Sequence, residues 1–288
     1  MKPQANCSFV VVQLASLAVL IAGLFHPLAA ETRSDREEWY TRQEAGFIAF
    51  RRGDYDQAEV DLKRACVIAE NFEQPDARLI LSLNELATVH TQQARYDEAE
   101  PLLQRAFQVT RQLRGANHLE TAVSLFNLAR LYQQQGNWKA AEADCLQAVS
   151  IVENVRGVAH PDFAVSLHNL ASLYHEQGND DKAALLYRRS LTILENALGP
   201  NHQNVGISLN NLGGLYRAQQ KFADAEAVLL RALTIFENSS LPRHEEIALA
   251  SNNLAAVHLL QKDYAKAEPL LKRAISILEA SLGKHHPE

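Results

Sequence analysis

The chain has 288 residues, of which 47% are hydrophobic, 22% charged and 7% aromatic, a composition that supports one or two folded domains and excludes general disorder. Its 12 Gly and 9 Pro fall below the roughly 20 and roughly 14 of average usage, too little turn punctuation for a β-sandwich or a collagen-like rod. Lys and Arg total 28 against 34 Asp and Glu, and this net charge of −6 excludes the basic footprint that nucleic-acid binding requires.

The N-terminus reads as a targeting segment. Phe9 to Phe25 (FVVVQLASLAVLIAGLF) is uncharged and mainly apolar, follows a short stretch with Lys2, and gives way to Ala29-Ala30 before the polar Glu31. These are the parts of a secretory signal peptide cleaved after Ala30, which makes 1–30 the signal and 31–288 the mature chain. Leu28 is large for the third position before that bond, and 17 apolar residues can also span a tilted or thinned bilayer, so anchoring of the N-terminus in a membrane is the alternative. Export to a periplasm or to the exterior is the expected localisation. Cys7 precedes the apolar run, and Cys66 and Cys145 lie on apolar helical stripes of different repeats, as packing residues do.

Beyond residue 31 the chain repeats itself. SLNELATVH (82–90), SLFNLARLY (124–132), SLHNLASLY (166–174), SLNNLGGLY (208–216) and ASNNLAAVH (250–258) start 42 residues apart without gaps. Ala99, Ala141, Ala183, Ala225 and Ala267 keep the same register, as do Ala106, Ala148, Ser190, Ala232 and Ala274. AGFIAFRRGDYDQAEVDLKRACVIAE (45–70) is a divergent first copy, which gives six repeats at about 36–75, 76–117, 118–159, 160–201, 202–243 and 244–286.

Each copy carries apolar residues at three- and four-residue steps on both sides of a polar break such as Gln134-Gln135-Gly136-Asn137, the pattern of two amphipathic helices. Small residues let those helices approach closely, and stacked neighbours supply the core that no single helix has. Ser34 with Glu37 has the spacing of a capping box, Pro161 suits a first helical turn, and Pro101 and Pro269 fall near the starts of second helices.

Leu128-Ala129-Arg130-Leu131-Tyr132 and Leu212-Gly213-Gly214-Leu215-Tyr216, each followed by conserved-spacing alanines, resemble the tetratricopeptide repeat. The 42-residue period, SLNNLGGLY and AEPLLKRAISILEASLGKHHPE are similar to the kinesin light chain and nephrocystin-like branch of that family, over about residues 35–288. Two positions depart from the pattern: Ala49 replaces the repeat tyrosine in the first copy, and Asp180 replaces the aromatic found as Tyr96, Trp138, Phe222 and Tyr264.

The resemblance implies an all-α fold, a right-handed α-solenoid of about six helix-turn-helix repeats, whose first helices line a concave groove where asparagines hold an extended peptide. The matching positions are Asn127, Asn169, Asn211 and Asn253, with Glu85 and Glu44 in the first two copies. Asparagine is a poor mid-helix residue, and its amide both donates and accepts, which suits a peptide group or a bridge between adjacent helices. Further groove positions are Asn84, His168, Asn210 and Asn252, with Arg130 and Arg217 as the cations against Glu44, Glu85 and Glu176. The face thus reads as polar and nearly neutral. Tyr40, Phe47 and Phe50 at its start read as core of the divergent first repeat, the alternative being an aromatic end to the groove.

Neither metal nor cofactor is expected. His118, His160, His202, His244 and His286 also fall 42 apart, and one histidine per repeat leaves them about 8–10 Å apart, too far to share a zinc ion; a packing or capping role fits. His175-Glu176 and His244-Glu245 lack the second histidine of a zinc-protease helix, Gly206-Ile207-Ser208 lacks the second glycine of a nucleophile elbow, and no phosphate loop occurs, so the chain does not read as an enzyme. The last helix, with Leu270, Leu271, Ile275 and Leu278, is followed only by a linker-like LGKHHPE, which makes end-to-end self-association, a homo-oligomer, the alternative to binding a protein or peptide segment.

Overall fold

Six times along the chain a helix ends in the same hydrogen-bonded reversal, and this reversal sets the architecture. The structure, a computed structural model, describes residues 33–72, 76–239 and 244–282. Twelve helices and no strand occur among the described residues: α1 (Arg33–Arg51), α2 (Tyr55–Glu70), α3 (Ala77–Gln92), α4 (Tyr96–Arg114), α5 (Leu119–Gln134), α6 (Trp138–Arg156), α7 (Pro161–Glu176), α8 (Asp180–Leu198), α9 (Gln203–Ala218), α10 (Phe222–Glu237), α11 (His244–Leu260) and α12 (Tyr264–Leu282). Odd-numbered helices are the first of each repeat and even-numbered ones the second, so the chain is an all-α repeat solenoid. Packing divides it into two compact units, one holding the described residues to Val155 and one from Arg156 onward. The expected signal or anchor lies outside the described residues, within which no helix is long and apolar enough to cross a membrane.

The reversal between paired helices is a Schellman turn. After α3, the Arg95 amide donates to the His90 carbonyl at 2.8 Å and the Ala94 amide to the Thr91 carbonyl at 3.0 Å; after α5, Asn137 and Gly136 do the same to Tyr132 and Gln133. The residue at the bend needs a left-handed backbone. Gly136 and Gly178 adopt it at φ of 74° and 78°, but Ala94, Gln220 and Lys262 adopt it at 57°, 59° and 62° with a Cβ present. Ala49, in place of the repeat tyrosine, keeps the turn through its carbonyl and lies in the core. Asp180 supplies a carboxylate 2.8 Å from His175 Nδ1 where other copies carry an aromatic.

From the third repeat on, first helices begin with histidine. The Nδ1 atoms of His118, His160 and His202 accept from the amides of Glu120, Asp162 and Asn204 at 3.2, 3.0 and 3.2 Å, so each imidazole caps a helix N-terminus. Pro161 follows His160 in the first turn, as its missing N–H allows. Ser34 does not cap α1, because the helix already includes Arg33.

Within residues 33–155, α2 packs on α1 and α3, and α4 on α3 and α5; within 156–282 the same alternation runs from α7 to α12. The repeat alanines sit at the crossings, with Ala99, Ala141, Ala183 and Ala225 fully buried. Ser190 holds the same register and satisfies its hydroxyl on the Ala164 carbonyl of α7 at 2.6 Å. At Gly213 a Cβ would meet Leu229 Cγ at 2.5 Å, so α9 and α10 approach more closely there than an alanine allows. Cys66 and Cys145 are free and buried, their thiols pushed up to about 12 by burial, and serve as packing residues. The first repeat corrects one expectation: Phe50 packs on the core, but Tyr40 and Phe47 stand 45% and 47% exposed.

Two stability outcomes follow from these turns and caps. Gln220→Gly relieves a left-handed penalty of about 1–2 kcal/mol and adds unfolded-state entropy, for a net gain of about 0.5–1 kcal/mol in urea unfolding, whereas Gly178→Ala loses a similar amount. His160→Ala costs about 1 kcal/mol in the same assay, and His160→Asn, which keeps an acceptor, costs less.

Candidate functional site

The residues singled out for binding all lie on first helices, where the repeat places them on one stripe. The structure joins many of them to each other. Asn127 Nδ2 donates to Asn84 Oδ1 at 3.4 Å between α5 and α3, and Asn253 Nδ2 donates to Asn210 Oδ1 at 3.0 Å between α11 and α9. Between α9 and α7, Asn211 Nδ2 lies 2.6 Å from His168 Nε2. Each link therefore runs from an asparagine to the residue 43 positions earlier, one before the matching position of the preceding repeat.

This ladder sorts the expected site residues into two groups. His168, Asn169, Asn210 and Asn211 are 3%, 1%, 4% and 6% exposed, so their amide and imidazole groups are closed off beneath the surface, and all but Asn169 take part in a link between helices. Asn84, Asn127, Arg130, Arg217 and Asn253 remain half-buried, and Asn252 is exposed.

The ladder changes character at its start. Trp39 Nε1 donates to Ser82 Oγ at 3.0 Å, Ser82 Oγ to Gln43 Oε1 at 2.7 Å, and Gln43 Nε2 to Glu85 Oε2 at 2.6 Å, a polar chain that pins α1 to α3. Burial pushes the Glu85 carboxyl up to about 7, with the Gln43 hydrogen bond opposing it. Arg130, one turn beyond Asn127 on α5, has its guanidinium pulled below its ordinary value by burial. Among the described residues it has no hydrogen-bond or ion-pair partner, whereas the buried Asp61 and Arg78 are paired with Arg42 and Asp76.

The repeat tyrosine position makes a second seam. Tyr132 Oη donates to Glu100 Oε1 at 3.1 Å, and His258 Nε2 lies 4.0 Å from Glu226. At the equivalent His90, the ligand-type atoms of Glu59, His90 and Glu98 fall within 4.8 Å of one another. Arg95 occupies that cluster, pairing with both carboxylates and holding Glu59 down to about 2, so the group acts as a charge lock at the start of α4. Sequence reasoning did not reach this lock, because its four members are scattered over two repeats. The signal available was the coincidence of His90 and Arg95 in one copy.

His168 gives the ladder a measurable acid limit. Burial pulls its imidazole down to about 4, while in the unfolded chain it takes a proton near pH 6.5. The folded-state value is depressed, so its contribution is intact above pH 6.5 and is lost as the pH falls from 6.5 toward 4. The shift corresponds to about 3 kcal/mol at most. His168→Asn, which keeps an acceptor but does not titrate, flattens the slope of unfolding free energy over that interval; an unchanged slope places the acid sensitivity elsewhere.

Comparison with known proteins agrees with this arrangement. The tetratricopeptide repeat family model matches residues 76–143, 127–196 and 162–238, and a second model of the same description matches 247–288. No curated protein matches the chain. Among solved structures, BtubC (BKLC) from P. vanneervenii aligns with TM-score 0.60 and 21% identity over 89% of this chain and 95% of that one. A protein described as a kinesin light chain of Podosopora anserina, with nearly identical TPR-like repeats, aligns with TM-score 0.55 and 23% identity over 71% and 96%. Pseudomonas aeruginosa pilF aligns with TM-score 0.51 and 14% identity over 86% and 94%. The repeat register, the helix pairs and the family match lead to one assignment: the chain belongs to the tetratricopeptide repeat family.

Proposed function

We propose that this protein is an exported, non-catalytic scaffold that binds a partner protein by holding an extended segment of it along the first-helix face. The observation that carries the reading is that the first helices of each compact unit present polar side chains with free hydrogen-bonding capacity. Asn84, Asn127 and Arg130 on α3 and α5 are half-buried, as are Arg217 and Asn253, and Asn252 on α11 is exposed. An amide used once in the ladder still has a lone pair or an N–H for a passing peptide group. Family membership supports the coarser part, since tetratricopeptide repeats generally mediate protein–protein interactions. Export rests on the run Phe9 to Phe25 and the small residues before Glu31.

A second reading has its own observation. Leu260, Tyr264 and Ile275 in the last repeat are 58%, 64% and 55% exposed, an apolar surface that suits docking of a second copy.

One capture experiment separates these readings. The full chain recovered from the exported fraction of its native cell, beginning at Glu31, is compared with an Asn84/Asn127/Arg130→Ala variant and with a Leu185→Arg/Leu230→Arg variant altered on second helices. The expected result is a partner held by the parent and the second variant and lost by the first at unchanged helicity. A partner lost only from the second variant, or kept by both, overturns segment binding on this face. Recovery of the bait alone, with a mass by light scattering that rises with concentration, favours self-association.

A further inference from the structure

Charges taken out of water are costly unless an opposite charge meets them. On the first helices of residues 33–155 this rule is obeyed by Arg78, which Asp76 neutralises, and by Glu38, which pairs with Arg64. It is broken twice. Glu85 on α3 is half-buried, and among the described residues its one hydrogen-bond partner is the neutral Gln43 amide. Arg130 on α5 is half-buried and, among the described residues, has no partner at all. The two stand on neighbouring first helices, Glu85 at the ladder position and Arg130 one turn past it, and they do not meet each other.

The offset explains why they stay apart and what could join them. Neighbouring helices lie about 8–10 Å apart, and one turn adds about 5 Å along the axis, so the two charges are separated by on the order of 10 Å. About three residues of extended chain span that distance at 3.3 Å each. Burial has already removed much of the water from both groups, as the upward shift of the Glu85 carboxyl and the downward shift of Arg130 record. An incoming opposite charge therefore meets each of them with part of the desolvation already done.

We propose that the first-helix face of residues 33–155 selects an extended segment bearing a basic and an acidic side chain about three residues apart, the base against Glu85 and the acid against Arg130. The proposal rests on the segment-binding reading above and adds the partner's charge pattern. Asn84 and Asn127, lying beside the two charges on the same helices, hold the intervening backbone, and Asn127 also spans to Asn84. A segment of one charge sign satisfies one site and leaves the other bare.

The test uses the full chain and a panel of labelled ten-residue peptides of Ala, Ser and Thr. Each carries one Lys and one Glu in either order at spacings of one to five residues; singly charged and uncharged members complete the panel. Fluorescence anisotropy is expected to show one order and a spacing near three bound about tenfold more tightly than uncharged or singly charged peptides, in line with charge-assisted hydrogen bonds. Glu85→Gln removes the preference for Lys and Arg130→Gln the preference for Glu, at unchanged helicity and melting cooperativity. The double exchange Glu85→Arg/Arg130→Glu reverses the preferred order, which a merely structural role for either residue would not produce. Binding of all peptides irrespective of charge overturns this proposal and leaves segment binding standing. Failure to bind any member of the panel, by a chain that also loses no partner in the Asn84/Asn127/Arg130→Ala capture, overturns both.

Discussion

The left-handed residue between paired helices is the constraint from which the remaining geometry follows. It brings the amide three residues after the helix back to the carbonyl at the tyrosine position, at 2.7 Å for Asn137 and Tyr132 and 2.8 Å for Asn179 and Tyr174. With that carbonyl fixed, the side chain of the same residue is aimed at the preceding second helix, where Tyr132 finds Glu100 and His258 approaches Glu226. The next helix starts at a set phase, and its alanines arrive at the crossings with no exposed surface. Three copies accept a Cβ at this bend, which shows that the turn is imposed by the packing on either side and not by glycine alone.

The first-helix face is built on the surplus capacity of asparagine. One amide can link two helices and still offer a group to a ligand, whereas a histidine linked through its one free acceptor has less to give. Availability along the ladder follows burial as well as link chemistry, since Asn84 is half-buried while Asn210, which accepts in the same way, is closed off. Asn127 and Asn84 lie half-open, but Asn211 meets the ring of His168, which packs edge-on to Tyr187 at 4.9 Å and seals the link. On the first helices of residues 33–155, α3 and α5 carry half-buried charges without an opposite partner among the described residues, Glu85 and Arg130.

The fold was legible in the sequence because it is written five times in one register: the helix pairs, the alanine crossings and the closed polar turns all repeat at 42 residues. The capping role of His118, His160 and His202 was also within reach of that spacing. The division of the asparagines was not, since a period of 42 does not reveal a link of 43, and nothing local in Ser-Leu-His-Asn-Leu tells whether an amide ends under its neighbour or beside it. Tyr40 and Phe47 misled for a related reason. An aromatic in a divergent copy carries the same hydrophobic signal whether it is covered or bare, and only the packing of Trp39 and Gln43 against α3 settles which side of α1 faces inward.

The direction of the ladder has a bearing on how such a chain can grow. The three asparagine links are each made by a donor in one copy and an acceptor in the copy before it, so a duplicated fifth repeat, which holds both the acceptor Asn210 and the donor Asn211, brings both halves of its own joint. The second copy, with Glu85 at the donor position, and the third, with Phe126 at the acceptor position, bring only one half, and a unit one residue out of step would on one side set a leucine against an amide. Duplication of a two-sided unit such as the fifth can thus lengthen the array by 42 residues with its polar seam kept, and the choice of unit decides whether the new joint closes.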